Sequence, residues 1–312
     1  MSESPTTLPR RRWTAADIPD QSGRTVLITG ASSGLGLHMT GELARRGARV
    51  VMAVRDVAKG ERARAALPAA GRIEVRHLDL VDLDSVREFA AGIVADGGGH
   101  VLVNNAGIGN LPRRLSPQGH ERQFATNHLG HFALTGLLLD ALTGPDPRVV
   151  TVTSGLYPLG TIPFDDLTGE RRFSPGRAYI NTKLANVLFG LELDRRLRAA
   201  GSPVRSLLAH PGMARTAFID QGPPALVTLA RAVGRVIGRP VADGAVPILY
   251  AATAPDAPTG AVVGTGPTFR RVAPTVEAVR RPGTDAGLAA RLWQVSEELT
   301  GVTPLLPVRP SH

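Results

Sequence analysis

Six short runs of strand-forming residues recur along this chain, each followed by a stretch with helical spacing, and that alternation restricts the possible folds more than any other feature. "TVLITG" (25–30), "RVVMAV" (49–54), "HVLVNNAG" (100–107), "RVVTVTS" (148–154) and "VRSLLA" (204–209) are apolar through most of their length, whereas "RIEVRHLDL" (72–80) begins by alternating apolar and polar residues. A strand apolar on both faces must be covered on both, and parallel strands sandwiched between helices meet that need. Between the runs, Leu35, Met39, Leu43 and Ala44 carry the helical period from Gly34 to a stop at Gly47. Pro68 closes an Ala- and Arg-rich helix, Asp82 caps a helix in "VDLDSVREFAAGIVADGGG", and longer helices are predicted at about 117–142 and 175–200. With right-handed crossovers, this order predicts an α/β fold: a Rossmann-type, doubly wound parallel sheet with helices on both faces.

No linker divides the 312 residues, so residues 25–312 are read as one domain. Residues 1–24 read as an arm rich in Pro, Thr and Arg, with Trp13 as its apolar anchor. The chain has no cysteine, which excludes disulfides, thiol catalysis and cysteine-bound zinc. No apolar run approaches the ~20 residues of a membrane-spanning helix. The basic N-terminus lacks the apolar core of a secretory signal, so a cytoplasmic protein is expected. The net charge of +9 raises the question of nucleic acid. The arginines are scattered, however, and aromatic residues make up 4%, too few for a stacking platform, so no specific nucleic-acid partner is expected.

In doubly wound sheets, ligands bind beyond the carboxyl ends of the strands, and the polar residues there form a set. After the first strand, "TGASSGLG" places Gly30 in a tight turn, followed by Ser32 and Ser33. Gly34, Leu35 and Gly36 then open the next helix, where backbone can approach a pyrophosphate. After the second strand, Arg55 stands where a carboxylate would grip the ribose of NAD, and Lys59 follows one turn later. Guanidinium binds a 2′-phosphate and a carboxylate repels one, so NADP(H) is favoured over NAD(H). Asp79 and Leu80 are candidates for the adenine edge, and Asn105, Ala106 and Gly107 for the turn after the fourth strand. Beyond the sixth strand, Pro211 and Gly212 make a rigid turn and Thr216 offers a hydroxyl.

Lys59 and Lys183 are the only lysines, against thirty-four arginines, and Tyr179 precedes Lys183 by four residues. Four residues is one helical turn, which places a phenol beside a permanent cation. The ordered set of TGASSGLG, NNAG, Asn127 in "NHLGHF", Ser154, Tyr-x-x-x-Lys and "HPG" resembles the short-chain dehydrogenase/reductase superfamily. The phrases "GHERQFATNHLGHFALTGLLL" and "AYINTKLANVLF" are similar to its retinol-dehydrogenase-type branch, and the resemblance spans roughly 13–216. It implies that Ser154, Tyr179 and Lys183 are the catalytic triad, with Asn127 as fourth member. Thr153 and Thr182 stand where serines are commoner, and neither change removes a catalytic group.

The implied chemistry is NADPH-dependent reduction of a carbonyl compound, with Tyr179 as general acid and Ser154 bonding the same oxygen. Lys183 should bring the phenol down from its usual value of about 10. Oxidation of an alcohol, with NAD or NADP, is the alternative, and a dinucleotide sensor without turnover a further one. Substrate specificity is assigned to 108–116, 155–177 and an apolar lid at about 213–240. Leu156, Tyr157, Met213 and Phe218 are candidate walls of a pocket for a lipophilic carbonyl or alcohol substrate. The helices at 117–142 and 175–200 are candidate surfaces for a homo-oligomer.

Overall fold

The computed structural model describes residues 13–68, 72–212, 240–266 and 273–306. Its eight strands are β1 (Thr25–Thr29), β2 (Arg49–Val54), β3 (Arg72–His77), β4 (Val101–Asn104), β5 (Arg148–Val152), β6 (Arg205–Ala209), β7 (Val262–Gly264) and β8 (Thr275–Glu277). They form one sheet in the order β3-β2-β1-β4-β5-β6-β7-β8, parallel throughout except for antiparallel β8. The strand order reverses between β1 and β4, which opens a crevice at their carboxyl ends.

Each predicted strand is present, although the polar tails of the third, fourth and fifth runs leave the ladder as turns. On one face pack α1 (Gly34–Arg45) and α7 (Val241–Thr253), burying Met39, Leu43, Ile248 and Leu249 against the strands. On the other lie α3 (Leu83–Ala95), α5 (Gly130–Leu138) and α6 (Pro175–Ala199), with Val86, Phe132 and Phe189 in the core. Asp82 caps α3 as expected, accepting from Asp84 N–H at 3.1 Å. Trp13 anchors the end of the arm edge-on against Tyr250 of α7, ring centres 5.3 Å apart.

The helix expected at 117–142 begins later. Glu121 accepts from Gln123 N–H and Phe124 N–H (3.0 and 2.9 Å) and starts α4 (Arg122–Phe124). A π-helical stretch at Ala125–Leu129 then leads into α5, with Gly130 N–H reaching back five residues to Ala125 O. At the C-terminal end, α8 (Ala286–Thr300) lies over α5 and α6. Its Trp293 is 3% exposed, with Phe132 and Phe189 at 5.1 and 5.9 Å between ring centres. α8 thus covers part of the surface of α5 and α6.

Candidate active site

The turn after β1 and the start of α1 form the first wall of the crevice. Gly30 (φ +67°) and Gly34 (φ +55°) adopt the left-handed conformation that other residues resist. A Cβ on Gly36 would lie 2.6 Å from Gly30 O and 2.9 Å from Asn105 Nδ2, so this approach of helix to turn excludes any side chain. Over Gly34 the space is open, and Ser33, the N-cap residue, makes no side-chain cap bond. The uncapped N-terminus of a twelve-residue helix facing open space is electrostatically suited to a phosphate. The residues present therefore fit the pyrophosphate of a dinucleotide.

A hydrogen-bonded node fixes the second wall. Thr29 Oγ1 accepts from Asn105 N–H and Ala106 N–H, both at 2.9 Å, and Asn105 Nδ2 returns to Thr29 O at 2.8 Å. His131 Nε2 stands 2.9 Å from the same hydroxyl, and its Nδ1 stands 3.1 Å from Asn127 O. A carbonyl only accepts, so Nδ1 carries the proton and Nε2 receives the hydroxyl hydrogen of Thr29. Burial holds the ring neutral, with its pKa pushed down to about 4. Asn127 uses its side chain as a peptide mimic. Its Oδ1 accepts from Ile108 N–H and its Nδ2 donates to Ile108 O, both at 2.8 Å, and Nδ2 also donates to Thr182 Oγ1 at 3.0 Å. Gly107 lies beneath, where a Cβ would stand 3.5 Å from Lys183 Nζ.

Ser154, Tyr179 and Lys183 meet at the carboxyl end of β5. The Ser154 hydroxyl is hydrogen-bonded to the phenol of Tyr179 and also accepts from Leu156 N–H at 3.3 Å. Lys183 Nζ lies 5.6 Å from the centre of the Tyr179 ring and donates to Val152 O at 3.2 Å. Asn186 Nδ2 shares that carbonyl at 3.1 Å. Burial, with no carboxylate to offset it, pushes the Lys183 ammonium down to about 8.

The expected lowering of the Tyr179 phenol is reversed. Burial pushes it up to about 12, and the Ser154 bond only partly counters that. The physical reason lies in the lysine, whose head is beside the ring and bonded to a backbone carbonyl. The burial that raises the phenol also weakens the cation expected to lower it.

Other expected residues fall into three groups. Arg55 and Lys59 are exposed beside the crevice, without an ion pair among the described residues. The adjacent carboxylate, Asp56, is committed to capping α2 (Val57–Ala65) by accepting from Lys59 N–H at 2.9 Å. Asp79 accepts from Val81 N–H at 3.2 Å within its own turn. Leu80 buries its side chain in the core, and its carbonyl oxygen lies against α5, where a Cβ on Gly130 would collide with it. Leu156 is exposed, but Tyr157 is corrected from pocket wall to core. A short 3-10 turn, Tyr157–Leu159, swings its ring inward to 3% exposure, and its hydroxyl accepts from Arg280 N–H at 2.8 Å. Met213, Thr216, Phe218 and the expected lid lie outside the described residues.

His131 was not anticipated, although its place four residues after Asn127 is visible in "NHLGHF". A cavity of about 560 Å³ lies behind α6, lined by Phe124, Leu167, Phe173, Ala178, Asn181 and Thr182 among others. Ser154, Tyr179 and Lys183 are not among its lining residues, whereas their neighbours Ala178 and Thr182 are.

With this geometry established, the comparisons with known proteins converge. Residues 24–222 match the family described as short chain dehydrogenase, and the chain belongs to the short-chain dehydrogenase/reductase family, whose members bind NAD(P). It is an oxidoreductase acting on alcohol and carbonyl groups. Retinol dehydrogenase 12 of Homo sapiens is 40% identical over 285 residues, covering 90% of this chain and 87% of that protein. Polyprenol dehydrogenase of Mus musculus is 39% identical over 295 residues, covering 91% and 86%. The crystal structure of a protein from Mycobacterium paratuberculosis matches with a TM-score of 0.79 at 47% identity, covering 95% of this chain and all of that one.

Proposed function

We propose that this enzyme reduces an apolar aldehyde or ketone to its alcohol with NADPH, using Tyr179 as the general acid. The carrying observation is the meeting of the Tyr179 phenol, the Ser154 hydroxyl and the Lys183 ammonium at the carboxyl end of β5. In the reducing direction the phenol donates its proton to the carbonyl oxygen, and burial keeps that proton in place until substrate arrives. The Ser154 hydroxyl donates to the same substrate oxygen and stabilises the charge that develops there. Lys183 orients toward Tyr179 and the Val152 carbonyl, and its three donors suit the ribose hydroxyls of the nicotinamide. The Asn127 clamp on Ile108 holds the wall beside it.

When bound, the dinucleotide supplies the hydride equivalent. Gly30, Ser32, Ser33, Gly34, Leu35 and Gly36 would hold its pyrophosphate, and Asn105, Ala106, Gly107, Pro211 and Gly212 the rest of its length. Arg55 favours the 2′-phosphate because a guanidinium, not a carboxylate, directly follows β2, and the Asp56 carboxylate is turned to cap α2. Retinol and polyprenol, named in two relatives, are both apolar isoprenoid alcohols. Their carbonyl forms are the first substrates to test.

The experiment is NADPH consumption with retinal and a polyprenal, run beside sugars and small keto acids, and repeated with NADH. We expect turnover of the isoprenoid carbonyls with NADPH, in graded efficiency because each apolar contact contributes only ~1–3 kcal/mol. Preference for keto acids would overturn the substrate class, and equal use of NADH would overturn the cofactor assignment.

A further inference from the structure

His210 ends β6 at a crossroads. Its Nδ1 accepts from Gly212 N–H at 3.1 Å, so the ring itself shapes the Pro211-Gly212 turn. An amide N–H must donate, which leaves the ring proton on Nε2, and that atom faces Glu277 Oε2 at 3.2 Å. Glu277 belongs to β8, and β7 runs between β8 and β6. The contact therefore spans an entire intervening strand, and it can do so only because the crossing point on β7 is Gly264. A Cβ there would collide with Glu277 Oε1 and stand 2.5 Å from His210 Nε2. The Gly264 position imposes no left-handed φ, so its lack of a side chain is explained by this passage alone.

The same ring also lies under the catalytic turn. A Cβ on Gly155, the residue after Ser154, would be 3.7 Å from His210 Cε1. Gly212, in the left-handed region at φ +62°, is packed so closely on Thr265 that a Cβ would collide with its hydroxyl. One imidazole thus lies beside the turn that carries Ser154 and accepts from the turn that faces the nicotinamide end of the crevice. We propose that His210, held by Glu277 across the bare backbone of Gly264, is the positioning residue that sets the Pro211-Gly212 turn against the nicotinamide end of the cofactor. This rests on the reading that the turn receives the dinucleotide.

The test uses the full chain with Glu277→Ala, Glu277→Gln, His210→Ala, His210→Asn and Gly264→Ala. NADPH Kd is measured by fluorescence titration, kcat and KM with retinal, and the thermal midpoint by melting. Misplacing a reacting group by about 1 Å can cost about 10²-fold. Accordingly, Glu277→Ala, His210→Ala and Gly264→Ala should lower kcat by roughly 10-fold to 10²-fold and weaken NADPH severalfold, with retinal KM little changed. Gly264→Ala matters most, since it severs the contact while leaving both partners in place. Glu277→Gln keeps an oxygen that accepts from Nε2, and His210→Asn keeps an acceptor near the Nδ1 position, so both should recover much of the loss.

Wild-type kcat and Kd in Glu277→Ala and Gly264→Ala would overturn the proposal. So would lower thermal midpoints with unchanged kcat per folded molecule, or equal damage from Glu277→Ala and Glu277→Gln. Failure of the wild-type chain to bind any nicotinamide dinucleotide would instead remove the cofactor reading, and this proposal with it.

Discussion

Strand β5 has a buried cation at each of its ends, and the two are treated in opposite ways. At its start, Arg148 is fully buried but paired with Asp146, and it donates to Ala251 O at 2.8 Å. Arg205 and Arg24 converge on the same residue, at 3.1 Å from Asp146 Oδ1 and from Asp146 O. Burial pulls Arg148 down, the Asp146 carboxylate pulls it back, and the guanidinium stays charged. At the other end of the strand, Lys183 is 4% exposed and has one backbone carbonyl for a partner. Its charge is left uncompensated and its pKa falls to about 8. Where a cation serves the fold, a counter-charge accompanies it. In the proposed mechanism the lysine serves chemistry, and there the cation is left without a counter-charge.

That contrast can be broken most directly at the lysine end. Tyr179→Phe should reduce turnover by about 10²–10⁴-fold while NADPH binding and thermal midpoint hold, measured by steady-state kinetics and titration. Near-normal turnover would leave the uncompensated lysine without a catalytic purpose. At the arginine end, Arg148→Met should cost about 1–3 kcal/mol in denaturant unfolding, because Asp146 and the Ala251 carbonyl each lose a donor while Arg205 still holds Asp146, and kcat per folded molecule should not change. If instead Arg148→Met impaired turnover at full stability, the division between the two ends would fail.

The comparison also sharpens through pH. The folded pKa of Lys183, about 8, lies below its ordinary 10.5. Between those values the unfolded chain binds the extra proton, so stability should rise with pH across this window. The rise attributable to Lys183 is on the order of a few kcal/mol, read as the difference between the wild type and Lys183→Met. Tyr179 acts in the opposite direction, but only above 10.0, because its folded pKa is raised. Identical pH profiles for the two proteins would mean that Lys183 is not desolvated. Smallest is the effect at the exposed Arg55. Arg55→Asp should move the ratio of NADPH to NADH affinity toward NADH by about 10-fold or more, through a lost charge-assisted bond and an added repulsion. An unmoved ratio would place the 2′-phosphate elsewhere.

The sequence was most legible where periodicity is strong. Strands β1, β2, β4, β5 and β6 are buried on both faces, so their residue types follow directly from that environment. Strands β7 and β8 are three residues each and too short to show any period, which is why Glu277 escaped notice and His210 was seen only as part of a turn. The motif residues Asn127, Ser154, Tyr179 and Lys183 do converge on the carboxyl end of the sheet. What spacing could not convey was direction. Tyr157 lies three residues beyond Ser154 and rotates away from the crevice. Lys183 lies one turn from Tyr179 but spends a donor on Val152. The sign of the Tyr179 shift depends on those orientations and on burial, neither of which a spacing rule contains.

The placement of α8 has a consequence for how the enzyme should behave in solution. Its Trp293 stacks on Phe189, Arg196 lies 4.4 Å above the ring, and His128 Nε2 is bonded to Ser296 Oγ at 2.8 Å. A tethered segment competes for its own docking face at an effective concentration of about millimolar, far above that of a second copy in an ordinary assay. The exposed back of such a helix offers a new chain none of the apolar surface that α5 and α6 would have presented. Two copies that associate on this side must therefore meet through the outer face of α8, and loss of specific activity on serial dilution from micromolar to nanomolar enzyme would reveal such an assembly.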